Sequence, residues 1–245
     1  MSIEDSLEAE LQPFLESNLI LEIVGPLKSG KEATVFACRA NPAHGAHWLA
    51  AKVYRPNEHR TFRNDAEYQE GRWARENRVK RAFVAKSRFG REVQAAAWID
   101  HEWGMLKSLH RAGISVPRPR SRSGNAIVME FLGDDGSPAP MLYAAPLTPE
   151  EAQGALDAVL ADVERMLARN VVNGDLSAYN VLWWRGRPRI IDLPQAVDPR
   201  LNPNGEALFA RDVENVCRAL ERRGARSDPA KIVADLWTRF REGRL

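Results

Sequence analysis

The sequence predicts an α+β fold with a first lobe rich in β-strands and a small, mostly helical second lobe. Three observations support this prediction. Strand-like apolar runs occur before residue 133, at 21–24, 33–38, 48–54 and 126–132. Helical periodicity dominates the chain after residue 141. Residues 171–197 combine two short predicted strands with two aspartates and one asparagine at a diagnostic spacing.

The segment 171–197 carries the candidate chemistry. Asn180 follows Asp175 by five residues, and Asp192 follows Asn180 by twelve, after a hairpin predicted with strands at 181–184 and 189–191 and a turn at 185–188. Turn propensity alone explains any one of these residues but not the combination. This layout is typical of a kinase catalytic loop followed by its metal loop. Asp175 is the candidate base that orients and deprotonates a hydroxyl, and Asn180 and Asp192 are candidate oxygen ligands for Mg²⁺.

Length and composition exclude other classes of protein. The chain has 245 residues, 44% of them apolar and 28% charged, which suits a globular protein with ample core. No run of about 18 apolar residues occurs, so we expect no membrane span. The N-terminus does not resemble a signal peptide, and Cys38 and Cys217 lie outside any CxxC motif. We therefore expect a cytoplasmic protein without disulfides.

A phosphate-binding loop is predicted between the first two strands, after a short N-terminal amphipathic helix. The pattern Gly25-x4-Gly30-Lys31 nearly matches a Walker A motif, but Glu32 stands where that motif needs a hydroxyl. The residues that follow favour a strand, whereas a Walker A loop opens a helix. We therefore predict a strand–loop–strand lid over a triphosphate. Only one glycine of the usual glycine-rich pattern is present, so a plain β-hairpin turn remains the alternative.

A lysine and a glutamate form the next candidate pair. Lys52 lies among apolar residues in the strand at 48–54, about 20 residues after the predicted phosphate loop, as in kinases. An edge-strand lysine is the alternative, but the downstream aspartates favour a phosphate ligand. A helix is predicted over 92–112, and Glu102 lies beside its apolar face. At this place in a kinase lobe, such a glutamate pairs with the strand lysine.

A basic segment precedes that helix. Residues 72–91 contain eight Lys or Arg and a single acid, with Trp73, Phe83 and Phe89 among them. A solvated surface and a contact for RNA or an acidic partner are both compatible with this pattern.

These motifs together resemble the RIO-type atypical protein kinases, in the branch without an N-terminal winged-helix domain. The resemblance covers roughly residues 20–220. The matching segments are Ser29-Gly30-Lys31-Glu32-Ala33, Ala51-Lys52-Val53-Tyr54, Trp98-x3-Glu102, Ala112-Gly113-Ile114-x-x-Pro117-x-Pro119, Val128-Met129-Glu130-Phe131-Leu132-Gly133, Pro138-Ala139-Pro140, Gly174-Asp175-Leu176-Ser177-x-Tyr179-Asn180 and Ile190-Ile191-Asp192-x-x-Gln195.

The resemblance implies a single two-lobed protein-kinase-like domain. Its first lobe would span about 1–132, its hinge about 130–140 and its second lobe about 141–245, without an extended activation segment. It also implies ATP and Mg²⁺ as cofactors, and serine/threonine autophosphorylation, ATP hydrolysis or ribosome-linked work as the activity. The segment 72–91 would correspond to the family's flexible loop before the helix that carries Glu102. The nucleotide-binding residues would be Ser29, Gly30, Lys31, Lys52, Glu102, Met129, Glu130 and Leu132. The metal-loop aspartate, here Asp192, would carry a transient phosphate as in some members.

Two departures from the family pattern lie in the catalytic loop. Asn173 stands where the family usually has a histidine, and Ala178 where it usually has an acid. The residues that touch metal and hydroxyl remain, so we expect an active enzyme that phosphorylates itself or a protein partner. An ATP-gated RNA or ribosome-binding switch is one alternative. A small-molecule kinase of the aminoglycoside-kinase type, which shares the G-D-L-x-x-x-N core, is the other.

Overall fold

The computed structural model describes residues 3–55 and 88–245, which form two compact units. The first unit contains the described residues 3–55, 88–107 and 117–138, and the second contains 108–116 and 139–245. Within the described ranges, no helix combines the length and the apolar character needed to cross a membrane.

The first unit is built on a five-stranded antiparallel sheet in the order β1-β2-β3-β5-β4. Two short helices at the N-terminus place Leu7, Leu11 and Phe14 in one core with the sheet residues Phe36 and Val128. The elements before residue 139 are α1 (Ile3–Ala9), α2 (Gln12–Glu16), β1 (Ile20–Ser29), β2 (Ala33–Ala40), a 3₁₀ helix (Pro42–His44), β3 (Trp48–Tyr54), α3 (Arg88–Arg111), β4 (Pro119–Ser123), β5 (Ala126–Glu130), β6 (Gly133–Asp134) and β7 (Ser137–Pro138).

The structure of this unit differs from the sequence prediction at two places. The loop predicted from Gly25 to Glu32 is shorter, because β1 continues to Ser29 and pairs with β2 through three register shifts. Those irregularities accommodate Gly25 and Pro26 inside a strand, where a regular ladder would reject proline. The strand β4 was not predicted, since its polar sequence lacks the alternation of a half-buried strand.

The helix α3 buries a slightly different face from the predicted one. Ile99, Leu106 and Leu109 are buried as expected, but Trp98 is buried where Trp103 was expected. Glu102 is only 3% exposed and lies on the buried face, not beside it. A helix with an ionisable group on its apolar face needs a cationic partner to offset the loss of hydration.

The second unit packs helices around a small hairpin. Its elements are α4 (Pro149–Leu167), β8 (Val181–Trp184), β9 (Arg187–Ile190), α5 (Gly205–Glu221) and α6 (Pro229–Arg241). A complete capping box starts α4, because the Thr148 hydroxyl accepts from the Glu151 N–H while the Glu151 carboxylate accepts from the Thr148 N–H. Apolar stripes on α4 and α5 form much of the core.

The hairpin β8–β9 has a tighter turn than predicted. The predicted turn spans 185–188 with a second strand at 189–191, whereas the observed turn is Arg185–Gly186 and the second strand begins at Arg187. Both turn residues adopt positive φ, 51° and 72°. This geometry belongs to a two-residue type I′ turn, whose twist matches the twist of the strands it joins. The strand β9 therefore ends at Ile190, two residues before Asp192.

Candidate active site

A buried ion pair lies at the centre of the first unit. The Lys52 ammonium on β3 donates to the Glu102 Oε1 on α3 at 2.7 Å, and both side chains are nearly inaccessible to solvent. The alternation of β3 turns Lys52 toward α3, whose buried face presents Glu102. The lysine is thus held in one orientation by its carboxylate partner, which excludes the alternative of an exposed edge-strand gatekeeper. Sequence analysis predicted this pairing.

The predicted phosphate loop is a tight turn between β1 and β2, with Gly30 N–H donating to the Ala33 carbonyl at 2.9 Å. Arg55, directly after β3, braces this turn. Its guanidinium donates to the Gly30 carbonyl at 2.9 Å, the Ser29 hydroxyl at 2.6 Å and the Thr34 hydroxyl at 3.2 Å. Lys31 is exposed at the turn. Sequence analysis did not single out Arg55, although its position three residues after Lys52 was the available signal.

Three of the predicted nucleotide-binding residues lie at and after the end of β5. Met129 and Leu132 are buried, with 7% and 4% of their surface exposed. The Glu130 N–H donates to the Arg118 carbonyl at 2.8 Å, and the Glu130 carboxylate accepts from the Arg118 N–H at 3.0 Å. These bonds tie Glu130 to the chain entering β4. The part of Met129, Glu130 and Leu132 in nucleotide binding stays a prediction.

Backbone hydrogen bonds in the second unit bring the predicted catalytic and metal loops together. Val172 and Val197 exchange both backbone bonds at the base of the segment, at 3.0 and 2.9 Å. Further along, the Ile191 N–H donates to the Asn180 carbonyl at 3.0 Å. Asp192 therefore directly follows a residue that is hydrogen-bonded to the candidate metal ligand Asn180. The sequence spacing predicted this neighbourhood.

Asp175 and Asn180 contact each other through their side chains. The Asn180 amide nitrogen donates to the Asp175 carbonyl at 2.9 Å and to the Asp175 Oδ2 at 3.2 Å. Gly174 precedes Asp175 with a φ of 81°, a left-handed conformation that glycine adopts without strain and that turns the chain sharply. The amide nitrogen of Asn180 is thus engaged by Asp175, and its amide oxygen is the atom suited to bind a cation.

The surroundings of Asp175 favour its protonated form relative to an ordinary aspartate. Burial raises the pKa of Asp175 above its usual 3.8, and the negative charge of Asp192 raises it further. The hydrogen bond from Asn180 and the charge of Arg211 act in the opposite direction. A carboxylate whose pKa is raised in this way is a better proton acceptor than a solvated one, as a general base requires.

Asp212 on α5 anchors the backbone of the catalytic loop. Its carboxylate accepts from the Gly174 N–H at 2.8 Å and from the Leu176 N–H at 2.9 Å, and the residue is only 2% exposed. Burial raises the pKa of Asp212 to about 7, although both of these backbone bonds and the charge of Arg211 act to lower it. Sequence analysis missed Asp212, and the only available signal was an acid within the apolar stripe of the helix.

Further side chains hold the same loop. The Arg211 guanidinium donates to the Gly174 carbonyl at 2.6 Å, beside the bond from the Gly174 N–H to Asp212. Asn173, the residue that departs from the family's histidine, donates to the Asp192 carbonyl at 3.0 Å and accepts from the Asp175 N–H at 3.1 Å. The other departure, Ala178, is buried at 4% exposure.

The donor set in the second unit fits a magnesium ion. Asp192 and Asn180 offer a carboxylate and an amide oxygen, the hard ligands that Mg²⁺ prefers, and the charge of Asp192 reaches Asp175. Proteins commonly hold Mg²⁺ through one or two carboxylates, with water and phosphate oxygens completing the shell. Over residues 3–55 and 88–245, no cluster of three or more His, Cys, Asp or Glu suited to a metal ion is present.

The predicted RNA or ribosome surface lies largely outside the described residues. Of the segment 72–91, only the backbone from Arg88 onward is described, as the start of α3. Its part in binding nucleic acid therefore stays a prediction.

Comparison with known proteins gives a consistent family. The model of the RIO domain matches residues 34–232. The RIO-type serine/threonine-protein kinase Rio1 of Haloferax volcanii is 32% identical over 225 residues, which cover 92% of this chain and 72% of that protein. The serine/threonine-protein kinase RIO1 of Caenorhabditis elegans is 31% identical over 203 residues, which cover 82% of this chain but only 38% of that larger protein.

The comparison with solved structures shows a similar fold. The Rio2 kinase from Chaetomium thermophilum, in a complex with ADP, Mg²⁺ and phosphoaspartate, superposes with a TM-score of 0.70 at 21% identity. The similarity covers 95% of this chain and 66% of that one. The prediction of a protein-kinase-like α+β fold is therefore confirmed. The chain belongs to the RIO domain family, the RIO-type serine/threonine-protein kinases.

Proposed function

We propose that this chain transfers the γ-phosphate of ATP, with Mg²⁺, to a serine or threonine hydroxyl of itself or of a protein partner. The observation that carries the proposal is the convergence of Asp175, Asn180 and Asp192 through the bonds between the catalytic and metal loops. Family membership and the ADP and Mg²⁺ in the Rio2 structure support the choice of nucleotide and metal.

In the first unit, Lys52 is assigned to the phosphates of ATP. Its ammonium is already fixed by Glu102, so little side-chain entropy is lost when a phosphate oxygen also binds to it. Ser29, Gly30 and Lys31 are assigned to the triphosphate as well, at the turn braced by Arg55. A turn held by three bonds to one guanidinium presents its N–H groups in a preset geometry without the usual glycines.

In the second unit, Asn180 and Asp192 are assigned to Mg²⁺. When bound, the cation would neutralise negative charge on the phosphate oxygens. The backbone of Asp192 is held in place because its carbonyl accepts from the Asn173 side chain. The phosphoaspartate in the Rio2 structure supports a second assignment, in which Asp192 transiently carries the phosphate.

Asp175 is assigned as the base. The acceptor oxygen forms a bond to the γ-phosphorus while the bond from that phosphorus to the bridging oxygen breaks, so ADP leaves with the electron pair. The hydroxyl proton passes to the Asp175 carboxylate. Its raised pKa suits this step, since a more basic carboxylate takes up the proton more readily.

Incubation with ATP labelled in its γ-phosphate tests the proposal. We expect label on serine or threonine of the protein, or of an added protein partner, only when Mg²⁺ is present. Label found only on a small molecule supplied with the protein would instead support the aminoglycoside-kinase type of activity.

Replacing Lys52 with methionine should lower phosphoryl transfer and weaken ATP use, because the cation that orients the phosphates is lost. It should also destabilise the first unit by about 3–5 kcal/mol, since the buried Glu102 carboxylate would lose its bond to the Lys52 ammonium. The double variant K52M/E102M separates these effects. We expect it to regain thermal stability without regaining phosphorylation, and recovery of both would assign a purely structural role to Lys52.

Replacing Arg211 with methionine should move the acid limb of the pH–rate profile to higher pH. The charge of Arg211 lowers the pKa of Asp175, so its removal leaves the base protonated at pH values where the wild-type base is ionised. The measurement is kcat at saturating Mg²⁺ and ATP across the acidic range, with Arg211→Lys as the charge-preserving control. Coincident acid limbs for wild type and R211M would show that Asp175 is not the group whose ionisation controls the rate.

A further inference from the structure

Asn173 connects the two loops that carry the candidate chemistry. Its side-chain nitrogen donates to the backbone carbonyl of Asp192 at 3.0 Å, and its side-chain oxygen accepts from the backbone N–H of Asp175 at 3.1 Å. The residue is 3% exposed, so water does not compete for these bonds. One side chain thus contacts both the residue assigned to Mg²⁺ and the residue assigned as the base.

The amide is suited to this place because it offers a donor and an acceptor on one rigid plane. An ionised aspartate at 173 would keep the bond from the Asp175 N–H but would set a carboxylate against the Asp192 carbonyl. A leucine has a similar size and would make neither bond. Comparing asparagine, aspartate and leucine at position 173 therefore distinguishes the effect of each hydrogen bond from the effect of side-chain size.

Asn180 also contacts both loops, because its side chain donates to Asp175 and its carbonyl accepts from the Ile191 N–H. Other contacts of the loop act elsewhere. Asp212 binds the N–H groups of Gly174 and Leu176, and Arg211 binds the Gly174 carbonyl. Val172 and Val197 close the segment at its base. None of these contacts, as the structure gives them, joins Asp175 to Asp192.

We propose that Asn173 is a positioning residue that couples the metal-loop aspartate Asp192 to the base Asp175. This inference rests on the proposed function, because the coupling matters only if the two residues act in one reaction. Through Asn173, a fixed Asp192 backbone also fixes the backbone of Asp175 and hence the direction of its carboxylate. The asparagine therefore does not leave the loop loose, even though it replaces the histidine that the family usually carries.

The activity test compares Asn173→Leu and Asn173→Asp with the wild type and with Asn202→Leu. Asn202 is a matched control, because it is also buried, at 5% exposure, and its side chain accepts a backbone bond from Asn204 outside the two loops. We expect N173L and N173D to lower kcat and to raise the Mg²⁺ concentration needed for half-activation by about ten- to a hundredfold, the usual effect of losing a partner of a metal ligand. KM for ATP should change by less than about threefold, because the residues assigned to the phosphates are untouched.

A second measurement needs neither metal nor activity. Amide hydrogen exchange at Asp175, followed by NMR in the free protein, reports the bond to the Asn173 oxygen directly. We expect protection of this amide to be lost in N173L and retained in N173D and N202L. Only N173D then separates the bond to Asp175, which it keeps, from the bond to Asp192, which it lacks.

The outcomes are distinguishable. If the wild type shows no Mg²⁺-dependent phosphoryl transfer, the proposed function fails, whatever the exchange data show. If the wild type is active and N173L matches it in kcat and Mg²⁺ dependence, the coupling is refuted. The same conclusion follows if N202L lowers kcat as much as N173L at equal loss of thermal stability, because a general loss of stability would then suffice.

Discussion

Replacing Asp175 with asparagine is expected to leave the affinity for ATP close to that of the wild type while lowering phosphoryl transfer by about a hundredfold or more. Asparagine keeps the size of the side chain, and its oxygen still accepts the hydrogen bond that Asn180 donates to Asp175. It cannot accept the proton of the acceptor hydroxyl. Single-turnover transfer from labelled ATP measures the rate, and calorimetric titration measures the affinity.

Asp212, which anchors the backbone of the catalytic loop, provides a comparison for the Asp175→Asn variant. Asp212 is buried and holds the Gly174 and Leu176 N–H groups, so Asp175→Asn should leave the loop backbone in place. Amide exchange at Gly174 and Leu176 should therefore be unchanged in the variant. Lost ATP affinity with an unchanged rate for each bound ATP would instead make Asp175 a binding or structural residue, and the assignment of the catalytic loop would be wrong.

Replacing Asp192 with asparagine is expected to abolish Mg²⁺-dependent transfer while the protein stays folded. The change removes the carboxylate of the ligand pair, and hard cations bind a neutral amide oxygen far more weakly than a carboxylate. The backbone carbonyl that accepts from Asn173 remains, so the metal loop should keep its position. Activity measured over a range of Mg²⁺ concentrations, together with thermal unfolding, checks both parts of the expectation.

Asp198 supplies the matched control in the same part of the chain. Its carboxylate accepts from the Arg200 side chain at 3.0 and 2.7 Å, outside the catalytic and metal loops. Asp198→Asn should therefore leave the Mg²⁺ dependence of the rate unchanged. Coinciding Mg²⁺ titrations for wild type and D192N would reduce Asp192 to a turn residue that follows a strand.

Sequence analysis predicted best the features that depend on motif order and on local sequence patterns. The family, the kinase-like fold class and the activity class followed from motif order and are confirmed by the comparisons. The strand β3 has the predicted ends, because its apolar pattern stops sharply at each terminus. The ion pair of Lys52 with Glu102 also forms as predicted, although the two residues lie 50 positions apart, because the order of the kinase motifs indicated the pairing.

The features that sequence analysis missed depend on contacts between distant residues. Asp212 lies 38 residues from the Gly174 N–H that it binds, and nothing near it in sequence distinguishes an anchoring acid from an exposed one. Arg55 lies 25 residues from the Gly30 carbonyl. The turn of the β8–β9 hairpin was misplaced because Arg185 gives little sign of its positive φ, which is uncommon outside glycine, asparagine and aspartate.

The assignment of Asn173 shows why motif matching alone is insufficient. Comparison with the family pattern shows only that Asn173 stands in place of a histidine. In the structure, the same amide makes one bond to each of the two loops. Burial and hydrogen-bond geometry, which a motif does not contain, decide how such a departure should be interpreted.

The central claim is that Asp175 acts as the base of an Mg²⁺- and ATP-dependent serine/threonine kinase. Phosphosite mapping by mass spectrometry after incubation with ATP tests it most directly, on wild type and D175N, each with Mg²⁺ and with a chelator. The account predicts phosphoserine or phosphothreonine on the wild-type protein, or on its protein partner, only with Mg²⁺, and at least about a hundredfold slower formation in D175N. Equal phosphorylation of the two proteins, or none in the wild type under any condition, would contradict it.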